Sequence, residues 1–205
     1  MQTNATSRTL ALAVWPASAS RALQAIVLVL AGTAVLAISA KIKVPFYPVP
    51  MTLQTFAVMA IAATYGSRLA VATVVAYLVE GAVGLPVFTN TPPEVASLAY
   101  LAGPTGGFLI GFIALAGIVG EAADRGWDRS IVRLFAAMIA ADIVVFILGF
   151  AWLAWFAHLS GGADGIGIAG AFKFGVVPFV LGDLLKIALA ALAVPACWNL
   201  VDRRA

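Results

Sequence analysis

Charged positions are so sparse along the chain that the intervals between them mark the apolar segments. Ala22 to Ala40 run for 19 residues without a charge, and a helix of that length, rising about 1.5 Å per residue, crosses roughly 30 Å of hydrocarbon. Lys43 and Arg68 bracket 24 further uncharged residues, but Pro45, Pro48 and Pro50 exclude a helix at the start. The second span therefore runs from about Thr52 to Tyr65. Gly66-Ser67-Arg68 punctuates a turn, and Leu69 to Val83 predicts a third apolar helix holding one carboxylate, Glu80, ended by Leu85-Pro86. Residues 86–102 mix Pro, Thr, Asn and Glu94 with apolar side chains and read as a loop packed over the protein. Pro104 suits the first turn of a fourth helix reaching about Gly120, with Gly103, Gly107 and Gly111 forming a small-residue ridge that lets two backbones approach. Glu121 to Arg129 places five charges in nine residues and is aqueous. A fifth span follows from Ile131 to about Phe156. The glycines from Ser160-Gly161-Gly162 to Gly170 break the chain, and a sixth span starts at Pro178 and ends near Trp198.

This pattern predicts an all-α integral membrane protein of six transmembrane helices, with residues 21–205 as one domain and residues 1–20 as a flexible cytoplasmic tail. Six spans put both termini on one side. Arg8, Arg21, Arg68, Arg125, Arg129, Arg133, Arg203 and Arg204 fall on that side, against Lys41, Lys43 and Lys173 opposite, so the termini are cytoplasmic by the positive-inside rule. Trp127 and Trp198 near one face and Trp152 and Trp155 near the other read as interfacial belts. Composition agrees: 63% of the residues are hydrophobic, 10% are charged and the mean hydropathy is +1.05, which excludes a soluble enzyme. A net charge of +3 spread without a basic block gives no nucleic-acid surface. One cysteine, Cys197, and one histidine, His158, are too few for an intrachain disulfide or a zinc site. The chain has no nucleotide-binding loop, serine-hydrolase elbow or metalloprotease motif. No catalytic residue, metal or cofactor is expected.

An ionisable side chain in hydrocarbon is expensive unless paired or wet, so Glu80, Asp142, Asp183 and Lys186 carry the information. Asp183 and Lys186 stand three apart on one helical face and can pair. They read either as a structural ion pair or as a binding site about two turns below the outer surface, where Lys186 would hold a carboxylate and Asp183 would accept from ligand N–H groups. Glu80 and Asp142 read as structural or helix-contact residues. The segment Lys41 to Gln54 holds three prolines and two aromatic residues, then Thr52 as a candidate N-cap and Gln54 with an amide to satisfy. It reads as a proline-stiffened linker or as a lid.

Five runs, in order, resemble the BioY family. They are Pro48-Val49-Pro50-Met51-Thr52-Leu53-Gln54-Thr55, Tyr77-Leu78 with Gly81, Gly84-Leu85-Pro86-Val87-Phe88, Leu101-Ala102-Gly103-Pro104-Thr105-Gly106-Gly107-Phe108 and Gly182-Asp183-Leu184-Leu185-Lys186. BioY proteins are biotin-specific substrate-binding components (S-components) of energy-coupling-factor (ECF) transporters, a class of ABC transporter. The resemblance implies a six-helix S-component fold whose loops after spans one and three cap an extracellular-side cavity. It implies high-affinity biotin capture and uptake across the cytoplasmic membrane, with a transmembrane T-component and two ATPase subunits as partners that use the ATP. Carried over by position, Asp183 and Lys186 match an acidic and basic pair that contacts biotin, Asn90 falls at a polar ligand contact, and Thr52, Gln54, Gly103 and Thr105 belong to loop motifs lining the cavity. Lys186 is expected to meet biotin's carboxylate, with Asp183, Asn90 or Gln54 at the ureido group. Tyr47, Tyr77, Phe88 and Tyr100 are candidates for the apolar walls. One departure stands out: S-components commonly place alanines four apart in the first helix, where the membrane partner docks, and here that spacing is met by Thr33 and Ala37. A solitary gradient-driven biotin carrier, an S-component for another small vitamin and a structural membrane subunit are the alternative readings.

Overall fold

The structure, a computed structural model, describes residues 9–13, 20–159 and 164–202. Within them the chain is mostly helical. It runs through α1 (Leu10–Ala13), α2 (Arg21–Lys41), the strands β1 (Lys43–Val44) and β2 (Met51–Thr52), α3 (Gln54–Tyr65) and α4 (Ser67–Ala82). There follow α5 (Leu98–Ala102), α6 (Gly106–Asp124), a 3-10 turn at Trp127–Arg129, α7 (Ile131–Trp155), α8 (Gly167–Gly175) and α9 (Val177–Asp202). Four stretches are long and apolar enough to cross a membrane: Arg21–Lys41, Gly106–Asp124, Ile131–Trp155 and Gly167–Asp202. α3, at 12 residues, is shorter than a bilayer requires.

The apolar runs form helices where expected because every backbone polar group in hydrocarbon must be satisfied within its own segment. Ser20 caps α2, its hydroxyl accepting from the Leu23 N–H at 3.2 Å. After α2 the prolines prevent a helix, and residues 43–52 fold back as an antiparallel hairpin pairing Lys43 with Thr52 and Val44 with Met51. α6 and α7 form the most extensive helix pair. Glycine permits this: a Cβ at Gly107 would overlap Trp152, and one at Gly111 would press on Val145. Where α6 crosses the α3–α4 turn, a Cβ at Gly120 would meet the backbone of Gly66 and Ser67. Asp124 then fastens that turn, accepting from the Ser67 N–H at 3.0 Å and the Ser67 hydroxyl at 2.6 Å.

Several expectations change. Residues 167–175, read as part of a glycine break, form α8, because Ile168, Ala171, Phe172 and Phe174 supply apolar surface between the glycines. The loop over 86–102 is turn-rich as expected but ends in α5. Two of the four tryptophans read as interfacial belts are engaged with the protein itself. Trp198 is buried and its indole N–H is bonded to Asp128, while Trp152 donates to the Gly103 carbonyl at 2.9 Å. Within the expected tail, α1 packs on α3 with Leu10 and Ala11 buried. Arg8, Arg203, Arg204 and the Ser160-Gly161-Gly162 break lie outside the described residues, as do residues 1–8 and 14–19 of that tail.

Asp128 joins the α6–α7 connection to the end of α9, and Arg129 stacks 3.9 Å from the Trp198 ring while pairing with Asp202 at 3.0 Å. Burial raises the Asp128 carboxyl above the usual carboxylate range, against the lowering effects of the Trp198 bond and the Arg129 charge. Because its folded-state value is raised, its contribution to stability is full below the unfolded-state value and is lost as pH rises through the folded-state one. We predict that Asp128→Asn, which keeps an acceptor for Trp198, unfolds at a higher temperature than the parent at neutral pH. The gap closes in acid, as thermal unfolding at the two pH values would show.

Candidate functional site

At the hairpin end of the bundle, α3, α6, α7 and α9 line a cavity whose few polar groups set among apolar walls are what a small-molecule site needs. Its charged feature is supplied by the first turns of α9. Lys186 Nζ donates to Asp183 Oδ1 at 2.8 Å, with the two side chains 11% and 7% exposed. Thr55, on the first turn of α3, lines the cavity together with them. Beside it, Gln54 is held from three sides. Its Nε2 donates to the Tyr77 hydroxyl at 2.8 Å, and its Oε1 accepts from Thr52 and Thr89, each at 3.3 Å. Tyr77 in turn donates to the Val87 carbonyl at 3.1 Å. An amide so fixed presents its remaining N–H in one direction.

The apolar walls are aromatic. Phe88 stacks on Tyr100 at 4.7 Å and meets Tyr77 edge-on at 5.6 Å, while Phe108 lies 6.2 Å from Phe179. Burial raises the Tyr100 phenol above its ordinary value, so it is a neutral hydroxyl in the wall. Phe88 closes onto a glycine: a Cβ at Gly81 would lie within its ring.

Two lysines hold the cover in place. Lys41 Nζ donates to the carbonyls of Phe88 and Thr91, and Lys43 Nζ to the Thr89 carbonyl at 3.2 Å and Asn90 Oδ1 at 2.7 Å. The end of α2 and the hairpin are thereby clamped to residues 88–91 by charge-assisted bonds. Outside the clamp lies a second, more polar recess edged by Lys43, Asn90, Glu94, Gly103 and His158, sharing Pro50, Tyr100 and Thr105 with the inner cavity. We predict that Lys41→Met, which removes the donor to two carbonyls, loosens the cover. Amide hydrogen exchange over residues 86–94 should accelerate, while α6 and α7 keep their protection.

A model of the BioY family matches residues 6–203. The chain belongs to the BioY family. It is 36% identical over 160 residues to the biotin transporter BioY of Thermotoga maritima, covering 78% of this chain and 87% of that protein. It is 33% identical to a probable biotin transporter BioY of Pyrococcus horikoshii (78% and 86% covered) and 34% identical to the biotin transporter BioY of Rhizobium etli (74% and 79% covered). In fold it matches the crystal structure of the S-component for biotin from an ECF-type ABC transporter, with a TM-score of 0.72, 20% identity, and 89% and 95% of the two chains covered.

The BioY-like motifs converge only in part. The structure brings Thr52, Gln54, Thr105, Asp183 and Lys186 together on the inner cavity. Tyr77 stands behind it, reaching it through Gln54, and Asn90 and Gly103 edge the outer recess. Of the expected aromatic walls, Phe88 and Tyr100 line the cavity while Tyr47 lies exposed at the recess. Thr52 accepts from the Gln54 N–H at 3.2 Å, although Leu53 occupies the cap position of α3. Sequence reasoning missed Thr55, Thr89 and Phe179, and it counted Lys41 and Lys43 only as topological charges. A signal for the lysines existed: two cations flanking one residue, directly before a proline-stiffened loop, need partners on a neighbouring segment.

Proposed function

We propose that this BioY-family protein captures biotin at the outer face of the cytoplasmic membrane. It acts as the substrate-specific component of an ECF-type transporter and does no covalent chemistry. The observation that carries this reading is the aromatic-walled cavity that holds the Asp183–Lys186 pair. The pair is already neutral, and it offers an acceptor beside a donor, the complement of one edge of a ureido group with its N–H and C=O. Adding a carboxylate there would leave two negative charges against one positive. The geometry therefore favours the ureido head at the pair, the reverse of the orientation expected from sequence. Biotin's fused rings then lie among Phe88, Tyr100, Phe108 and Phe179, and its carboxylate points toward the recess edged by Lys43.

In this reading α2, α3, α4, α6, α7 and α9 make six crossings, α3 being completed by the hairpin before it. The cover and recess lie outside and both termini inside, consistent with Arg68 by the α3–α4 turn and Arg125, Arg129 and Arg133 around the α6–α7 connection. A transmembrane T-component and two ATPase subunits supply the energy. On α2, Thr33 is buried and turns its hydroxyl to the Leu30 carbonyl at 3.1 Å, so a partner docking on this helix meets the exposed Ile26, Leu30 and Ile38 instead.

The test is equilibrium binding of biotin to the purified protein in lipid or detergent, without partners. Tight binding at one site per chain is expected. A folded protein that ignores biotin but binds another vitamin, or none, would overturn the assignment.

A further inference from the structure

Asp142 has no part in the site as described. It lies on α7 one turn before Val145 and Phe146, which line the cavity, so it projects from the same face just beneath the cavity floor. It is 6% exposed, and among the described residues its Oδ1 has no hydrogen-bond partner. The charges that act on it are those of Asp183 and Lys186 on α9. Charged groups on the other elements packed against α7 are engaged elsewhere. Glu121 pairs with Arg125, Asp124 with Ser67, Arg129 with Asp202 and Asp128 with Trp198, while Lys173 sits over Phe174. Arg133, on α7 itself, is exposed.

The cluster thus holds two carboxylates and one ammonium. Lys186 is committed to Asp183 at 2.8 Å, and a second, uncompensated carboxylate midway along a membrane helix is among the costliest groups a protein can bury. We propose that Asp142, Asp183 and Lys186 form a proton-binding site beneath the ligand cavity, with one exchangeable proton carried on Asp142. The proton makes the cluster neutral overall and leaves Lys186 free to serve Asp183 and the ligand. Its loss turns Asp142 into a competitor for Lys186 and sets a negative charge under the ligand. Asp142 is in this sense a positioning residue, acting on the ligand through Lys186, and ligand affinity is tied to local proton concentration.

The protonation of Asp142 and the biotin reading are tested apart. Infrared spectroscopy of the full-length protein in lipid, without ligand, should show a protonated-carboxyl C=O band that shifts in deuterated water and is absent from Asp142→Asn. Should that variant fail to fold, Asp142→Glu should move the band instead of removing it. Biotin affinity, measured from mildly acidic to alkaline pH, should fall by about tenfold in the parent as the proton leaves and stay level in Asp142→Asn. A band untouched by either substitution, or a variant whose affinity follows pH as the parent's does, would overturn the proposal. If the band behaves as expected and biotin does not bind, the biotin reading fails and the proton site stands.

Discussion

Lys186→Met is expected to lose biotin binding by about 100-fold or more and to destabilise the protein at the same time. The lysine is the one cation in the inner cavity, and a charge-assisted bond to ligand is worth about 1.5–3 kcal/mol, with the ordering of Asp183 lost besides. Asp183 would remain buried without its lysine, and breaking a buried pair in this way costs about 3–5 kcal/mol. Recognition and folding are separated by a second substitution. Asp183→Leu in the Lys186→Met background removes the stranded carboxylate, so thermal stability recovers while binding does not. A single Lys186→Met variant that bound biotin as tightly as the parent would remove the pair from the site altogether.

Gly81→Val should weaken binding by about tenfold or more although Gly81 itself does not line the cavity. Its side chain would occupy the space taken by the Phe88 ring, forcing that ring off Tyr100 and into the cavity. Overpacking of this kind costs about 1–3 kcal/mol of stability, and the binding loss comes on top because Phe88 and Tyr100 form one wall. Phe88→Ala in the same background should relieve the overlap and restore stability, while the missing wall keeps affinity low. Thermal unfolding beside biotin titration of the three variants checks this. Unchanged affinity in Gly81→Val would mean that the wall can yield away from the cavity.

The long spans were readable because α2, α6, α7 and α9 are apolar over most of their lengths, and a helix satisfies the whole backbone of such a run within itself. The prolines at 45, 48 and 50 correctly forbade a helix there. α8 was hidden because its glycines advertise a turn, whereas its packing against α7 and α9 decides the outcome. Trp198 misled for a related reason: an indole near a helix end suits an interface until a buried acceptor such as Asp128 draws it inward. In the site, Asp183 and Lys186 were legible as charges in an apolar run, and Gln54 as an amide needing partners. Thr55 and Phe179 gave no signal, since a threonine or phenylalanine on a membrane helix becomes a wall residue only through the rotation of that helix against its neighbours. Asn90 and Thr89 illustrate the resolution limit. Adjacent loop residues point to opposite sides of the cover, and motif position alone does not say which one faces in.

The lysine clamp joins Lys41 to Thr91 and Lys43 to Asn90 within the first half of the chain, whereas both charges of the inner cavity come from α9. During synthesis the lid and its aromatic wall are therefore assembled before the floor they cover. A nascent chain halted ahead of α9 would present the insertion machinery with an open seam along α3 and α7, the helices against which α9 packs. Capture competence arrives in one step with the final helix, and a C-terminal truncation would abolish it while leaving the earlier helices inserted.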